Sequence, residues 1–196
     1  MKFHFAAAAA IALFASDPSQ AASVMSAGST VQEDCFRAAQ SQARAPLSQR
    51  SLANGIAACN VALTGDMSQL TRAGTLVNRG ILQAAAGDDT VAIADFDAGL
   101  ARDPSLAAGY MNRGTALLRT ARYTEARADF DRAINLNVSD LHVAYFNRGE
   151  AKEASGDLVA AYHDYRKAQE LSPNFKPAGL ELARFQVTER RVADSR

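Results

Sequence analysis

The sequence predicts an all-α protein made of stacked antiparallel helix pairs. The tripeptide Asn-Arg-Gly occurs three times, with its glycines at Gly80, Gly114 and Gly149, at intervals of 34 (80 to 114) and 35 (114 to 149) residues. Each glycine is followed twelve residues later by an alanine and sixteen residues later by an aromatic residue. Self-similarity at such a fixed period is typical of repeat architectures. Alanine is also abundant and tryptophan is absent, as expected for thin, closely packed helical layers.

The start of the chain has the features of an export signal. A short basic start precedes residues 5–15, an uncharged, alanine-rich run of 11 residues, whereas a membrane span needs about 20 residues. Small residues at Ser19 and Ala21 occupy the two positions that a signal peptidase reads. We therefore interpret residues 1–21 as a signal peptide, cleaved after Ala21 or Ala22, and residues 22–32 as a flexible leader. An uncleaved amphipathic helix is the alternative.

Residues 33–69 are interpreted as a degenerate first helix pair. Helix A is expected over residues 33–44 and helix B over residues 51–63, with a proline in the turn between them. Ser51 is a candidate N-cap of helix B.

The two cysteines of the protein lie in this first pair. Cys35 and Cys59 are each twelve residues from Leu47, which lies in the predicted turn. Residues equidistant from the turn of an antiparallel hairpin face each other, and paired cysteines are usual in an oxidising compartment. We therefore predict a Cys35–Cys59 disulfide; two buried free thiols are the alternative.

Three regular units follow, at residues 73–106, 107–140 and 142–175. In the second unit, helix A is expected over residues 107–120 and helix B over residues 124–136. Small residues let the two helices approach closely, and prolines close the first and third units because proline cannot continue a helix. The repeat residues are Gly80, Gly114, Gly149, Ala92, Ala126, Ala161, Phe96, Phe130, Tyr165, Pro104 and Pro173.

These residues resemble the tetratricopeptide repeat (TPR) family, whose spacings they share over residues 73–175. The resemblance implies a right-handed solenoid over residues 33–192, with one degenerate repeat, three regular repeats and a capping helix. A single helix pair cannot bury its own apolar face, so each pair must stack on its neighbours.

The expected capping helix covers residues 176–192. Leu180, Ala183 and Val187 form an apolar stripe along it. We expect this stripe to face the stack and the charged residues of the helix to face water, because the last element of a solenoid has only one neighbour.

An arginine and an aspartate recur with the repeat. Arg79, Arg113 and Arg148 precede the three glycines, and an aspartate follows each arginine by sixteen residues, across the hairpin turn. This recurrence favours a structural ion pair between helices A and B of each unit over a functional role for the arginines.

The TPR resemblance also implies a binding groove on the concave face, lined by the A helices. Asparagine amides both donate and accept hydrogen bonds and so can hold an extended peptide backbone. The alternatives are that the asparagines only brace neighbouring helices and that the apolar residues belong to the core. The candidate groove residues are Asn78, Asn112, Asn147, Val77, Met111, Phe146 and Arg119.

No pattern of catalytic residues, metal ligands or cofactor-binding residues is found. Beyond the predicted signal, the histidines are His142 and His163, and neither has metal-ligand spacing with another candidate ligand. The formal net charge is zero, which gives no argument for nucleic acid as a partner. We therefore predict a non-enzymatic protein without catalytic or metal-binding residues and without a cofactor.

Three functions fit these observations. We expect an exported protein, in a bacterial periplasm or secreted, that binds a peptide or helix of a partner protein and does not insert into a membrane after signal cleavage. The alternatives are a structural or assembly component that acts through its outer faces or by self-association, and a holdase-like helper of secreted proteins. Clustered lysine and arginine along the groove would indicate a clamp for the carboxyl-terminal ends of partner proteins, but glutamates lie among the few cations there.

Overall fold

The computed structural model describes the backbone of residues 30–194 and the side chains of residues 31–42 and 44–185. The predicted signal peptide and most of the leader therefore lie outside the described residues. Nine α-helices occur within residues 30–194. They are α1 (Thr30–Arg44), α2 (Gln49–Thr64), α3 (Gln69–Ala86), α4 (Asp89–Leu100), α5 (Ala107–Arg119), α6 (Tyr123–Asn135), α7 (Leu141–Ala154), α8 (Leu158–Leu171) and α9 (Lys176–Asp194).

The helices form four antiparallel pairs in sequence order, α1/α2, α3/α4, α5/α6 and α7/α8, and α9 packs on α8. The first helix of each pair (an A helix) also contacts the A helix of the next pair, as α1 does with α3 and α3 with α5. This arrangement confirms the predicted all-α stack of one irregular pair, three regular pairs and a final helix.

Two serines determine where α2 and α3 begin. Ser48 Oγ accepts a hydrogen bond from the backbone N–H of Ser51 at 3.2 Å, so Ser48, and not Ser51 as predicted, is the N-cap of α2. In the same way, Ser68 Oγ accepts from Thr71 N–H at 3.0 Å. These caps satisfy N–H groups that have no partner within the helix, and they place the start of α3 before residue 73.

The repeated glycines allow the two helices of a pair to touch. A Cβ atom at Gly80 would lie 2.7 Å from the ring of Phe96, one at Gly114 2.8 Å from Phe130, and one at Gly149 2.7 Å from Tyr165. Each of these rings is buried. The glycine and the aromatic residue of each unit therefore form the predicted contact between helices A and B, and the alanine of each unit is buried.

The second unit ends without a proline. Asn137 takes a left-handed conformation there, with φ of 55°, and the N–H of Val138 donates to Ala133 O at 3.1 Å. Asparagine tolerates this conformation better than most residues. Buried Val138 thus closes the unit where proline closes the others.

The apolar stripe predicted to hold the final helix faces outwards. Ala178 is fully buried and Leu182 and Phe185 pack against the core, whereas Leu180 is 71% exposed and Ala183 is exposed. The prediction chose the wrong face because α9 has two apolar stripes, and the sequence does not show which one meets α8. The side chain of Val187 lies outside the described residues. None of the helices described between residues 30 and 194 is both long and apolar enough to cross a membrane.

Candidate functional site

The three repeated asparagines do not line an open groove. Asn78, Asn112 and Asn147 are 7%, 0% and 2% exposed. Asn112 Nδ2 donates to Ala108 O, one turn earlier in α5, at 2.9 Å, and Asn147 Nδ2 donates to Thr115 Oγ1, on the preceding unit, at 3.4 Å. Their burial contradicts the groove prediction for these residues, and the contact between Asn147 and Thr115 agrees with the bracing alternative.

The apolar residues beside the asparagines also belong to the core. Val77, Met111 and Phe146 are 2%, 1% and 5% exposed. The ring of Phe146 lies 5.3 Å from that of Phe175 and 5.4 Å from that of Tyr165. The prediction that these three side chains contact a ligand is corrected, because each is covered within the stack.

Arg119 is only partly accessible, and its charge is already compensated. Its guanidinium donates to both carboxylate oxygens of Asp89, at the start of α4, and its Nη2 donates to Ala84 O at 3.3 Å. The side chain keeps 22% of its surface exposed. Arg119 therefore links two units and is not an unpaired cation for an acidic ligand.

The predicted arginine–aspartate pairs are present in all three regular units. Arg113, for example, donates from Nε and Nη2 to the two carboxylate oxygens of Asp129 at 2.7 Å each. Burial raises the pKa of Asp129 and the arginine opposes that shift, while the hydrogen bond to Asp129 raises the pKa of Arg113. The equivalent pairs are Arg79–Asp95 and Arg148–Asp164.

Each of these arginines also reaches the preceding unit, which the sequence analysis missed. Nη1 of Arg79 donates to Asn60 at 2.7 Å, Nη1 of Arg113 to Asp97 at 2.6 Å and Nη1 of Arg148 to Asp131 at 2.6 Å. Each acceptor directly follows the residue at the aromatic repeat position. This recurrence of a polar residue after the aromatic position could have predicted the contact from the sequence. One arginine per unit thus joins two consecutive B helices.

Several side chains near the C-terminal ends of α5 and α7, and on α9, remain accessible. We call Leu118, Arg119, Glu150, Glu153 and Arg184 the A-helix strip. The first four side chains are partly exposed, and that of Arg184 is more open, at 53% exposed. The strip comprises residues from α5, α7 and α9. The sequence named Arg119 as a candidate groove residue, with Leu118 beside it and Glu150 and Glu153 along the same groove.

Glu150 is the electrostatically unusual member of the A-helix strip. Its Oε2 atom is buried and has no hydrogen-bond partner. Burial, followed by the charges of Glu181 and Glu153, raises the pKa of Glu150 to about 8. Its carboxyl group therefore carries a proton through much of the neutral range, unlike an ordinary surface glutamate.

The predicted disulfide between Cys35 and Cys59 is present and joins α1 to α2, with the Cα atoms 4.8 Å apart. Both residues are buried against Leu52 and Leu82. Since Leu82 belongs to α3, the disulfide lies in the layer through which the first pair contacts the second.

Among the described side chains, no group of three or more His, Cys, Asp or Glu residues is placed to hold a metal ion. A cleft of about 190 Å³ lies between α4 and the turn before α6, lined by Ile93, Ala94 and four polar residues. Typical small-molecule sites measure roughly 300–1,000 Å³, so the cleft is small for such a ligand.

Two units of the chain match the family model of the tetratricopeptide repeat, at residues 107–138 and 142–175. Among curated proteins, RNA polymerase II-associated protein 3 of Xenopus tropicalis is 37% identical over 94 residues, which are 48% of this chain and 14% of that protein. Serine/threonine-protein phosphatase 5 of Rattus norvegicus is 34% identical over 90 residues, 46% of this chain and 18% of that protein. The chain thus spans less than a fifth of the length of these relatives.

Solved structures share the fold over a larger part of the chain. The first TPR of Spaghetti (RPAP3), bound to HSP90 peptide SRMEEVD, is 29% identical with a TM-score of 0.57, covering 61% of this chain and 94% of that one. MamA of Desulfovibrio magneticus RS-1, residues 41 to the end, has a TM-score of 0.69 and 19% identity, covering 84% of this chain and 88% of that one.

Proposed function

We propose that this chain, whose fold is the all-α tetratricopeptide-repeat solenoid, is a non-catalytic module that binds a segment of a partner protein. The observation that carries the proposal is the likeness to the RPAP3 repeat domain, which is bound to a peptide in its solved structure. The match with this chain covers 94% of the length of that domain. A rigid stack of helix pairs presents an extended surface of this kind to its partners.

The A-helix strip is the surface that we assign to this binding. The repeated asparagines and their apolar neighbours are buried, so they are not available to a partner. The strip instead combines the half-buried side chain of Leu118 with charged groups on α7 and α9. Such a surface offers one apolar contact and several hydrogen-bonding groups.

The charges of the strip argue against an acidic peptide tail as the ligand. Arg119 is bound to Asp89, and Arg184 donates to both Glu153 and Glu181. Lys152, beside the strip on α7, pairs with Asp164 at 2.7 Å. A peptide ending in carboxylates would have to displace these partners. We therefore propose a ligand recognised through backbone hydrogen bonds and apolar contacts.

Site-specific photo-crosslinking in the cells that make the protein tests the proposal. Leu118→p-benzoylphenylalanine places the probe in the strip, and Val61→p-benzoylphenylalanine places it on the exposed side of α2, where Val61 is 57% exposed. The proposal predicts a discrete adduct with another polypeptide from position 118 and none from position 61. Adducts from position 61 alone would place binding on the B helices and reject the strip.

A second function, assembly with further copies, is favoured by one observation. Leu180 lies 34 residues after Phe146, and Phe146 lies 35 residues after Met111, so the three residues occupy equivalent positions in successive units. Met111 and Phe146 are buried, whereas Leu180 is 71% exposed. Assembly through this end predicts a mass in sedimentation equilibrium that rises with concentration and becomes monomeric in Leu180→Asp. A concentration-independent monomeric mass would reject it.

We also propose that the protein is exported, as the basic start, the short uncharged run and the small residues before position 22 suggest. The Cys35–Cys59 disulfide supports an oxidising location. N-terminal sequencing of the protein from cell fractions should find Ala22 or Ser23 first in the exported fraction. A mature protein that still begins at Met1 would contradict export.

A further inference from the structure

The contact between α7 and α9 contains three carboxylates and one arginine. Glu150 and Glu153 lie one turn apart on α7, and Glu181 lies on α9. Arg184 of α9 donates from Nε and Nη2 to Glu181 and from Nη2 to Glu153. One guanidinium thus holds two carboxylates and joins the final helix to the last regular unit.

Glu150 is left outside this arrangement. Its Oε2 atom is buried without a hydrogen-bond partner, whereas Glu153 also accepts from Tyr165 Oη at 2.8 Å. An ionised carboxylate with an unpaired buried oxygen is costly, and like charges nearby increase the cost. For a neutral carboxylic acid, both the cost of burial and the repulsion by the nearby carboxylates are smaller.

The charged groups on the other helices around α7 are already engaged. From α8, Asp164 binds Arg148 and Lys152; from α6, Asp131 binds Arg148; and from α5, Arg119 binds Asp89. The nearby charges that bear most on Glu150 are those of Glu181 and Glu153. With Arg184, the four groups carry a net charge of −1 when Glu150 is protonated and −2 when it is ionised.

We propose that protonation of Glu150 controls how firmly α9 is docked on the last unit: the neutral acid permits docking, and the ionised carboxylate repels Glu153 and Glu181 and loosens α9. This inference goes beyond the proposed function and does not depend on it. Loosening α9 would uncover Ala178, Leu182 and Phe185, which face the stack.

The direction of the pH dependence follows from linkage. Burial and the charges of Glu181 and Glu153 raise the pKa of Glu150 to about 8. Because Glu181 belongs to α9, docking of α9 adds to this shift, and the docked state binds the proton more tightly than the released state. The contribution of Glu150 to docking is therefore present while Glu150 is protonated and is lost as the pH rises through about 8. Above that pH the contribution is absent, and docking rests on the apolar contacts and on Arg184.

Amide hydrogen exchange of α9, followed by NMR on the full-length protein, tests this inference. The amides of residues 178–185 should lose protection by roughly tenfold or more between pH 6 and pH 9, after correction for the intrinsic exchange rate. In Glu150→Gln the protection should not change over this range, because the amide side chain does not titrate. Glu170→Gln, at an exposed position of α8, is the matched control and should behave as the wild type.

A direct titration keeps the inference testable if a variant folds poorly. The Cδ atom of Glu150, observed by ¹³C NMR in the wild-type protein, should titrate with a midpoint near pH 8. A midpoint near that of a surface glutamate would overturn the inference. Protection of α9 that is the same at both pH values, or that falls equally in Glu150→Gln, would also overturn it.

Discussion

Gly80 and Gly74 lie less than two turns apart in α3, but the space around their Cα atoms differs. A Cβ atom at Gly80 would lie 2.7 Å from Cε1 of Phe96, a ring that is fully buried, whereas one at Gly74 would meet nothing within 4 Å. The same substitution to alanine should therefore have opposite effects at the two positions.

We predict that Gly80→Ala lowers the free energy of unfolding by about 2 kcal/mol, because the enclosed ring of Phe96 cannot move away. Gly74→Ala should raise it by about 0.5–1 kcal/mol, because alanine favours the helix and has room. Urea unfolding of both variants measures the difference. Equal effects at the two positions would show that the close approach of α3 and α4 does not determine the choice of glycine.

Residue identities in the repeat predicted the contact within each unit but not the role of the asparagines. Glycine and an aromatic residue at fixed spacing predict a close contact between the two helices of a unit, and the structure contains this contact. An asparagine at a fixed position serves equally well for binding and for bracing. The burial of Asn112, at 0% exposed, depends on the distance between neighbouring A helices, which the sequence does not give.

At the scale of the helices, the arginine of each unit makes a three-way connection. Arg113 binds Asp129 on the B helix of its own unit and Asp97 on the preceding B helix. The first contact was predictable, because both residues recur within one unit. The second was missed because it depends on how far one unit is displaced from the next.

Replacing Arg113 by methionine should lower the free energy of unfolding by about 2 kcal/mol, because Asp129 would be left buried without a cation. The loss should be smaller than for a completely buried pair, since the Arg113 side chain keeps 21% of its surface exposed. Arg122→Met, which breaks an exposed pair with Glu125, should have no measurable effect in the same chemical unfolding assay. A similar loss in both variants would contradict the three-way connection.

The disulfide should stabilise the first helix pair selectively. Closing a loop of this size contributes about 3 kcal/mol in the chain-entropy model, and each pair of a solenoid contacts only its neighbours. Reduction should therefore raise amide exchange in α1 and α2, with a smaller effect on α3 and none on α7 and α8. A uniform rise from α1 to α9 would show instead that the stack unfolds as one unit.

For the molecule as a whole, the sequence predicted the order of pairs and the final helix, but not which face of that helix is covered. Leu180 and Leu182 are both apolar, and only contact with α8 decides that Leu182 is inside and Leu180 is 71% exposed. The asparagines and their apolar neighbours, which the resemblance placed in the groove, are buried, whereas Leu118, Arg119 and Glu150 remain partly exposed. The A-helix strip is the surface that we propose for a partner.

The most direct test of the proposed function is the footprint of a partner on the protein. Once a partner has been identified by crosslinking, amide hydrogen–deuterium exchange should be compared for the protein alone and in the complex. Binding through the A-helix strip predicts slower exchange in the C-terminal halves of α5 and α7 and around Arg184 in α9, with α2 and α4 unchanged. Slower exchange confined to the B helices α2, α4 and α6 would contradict it.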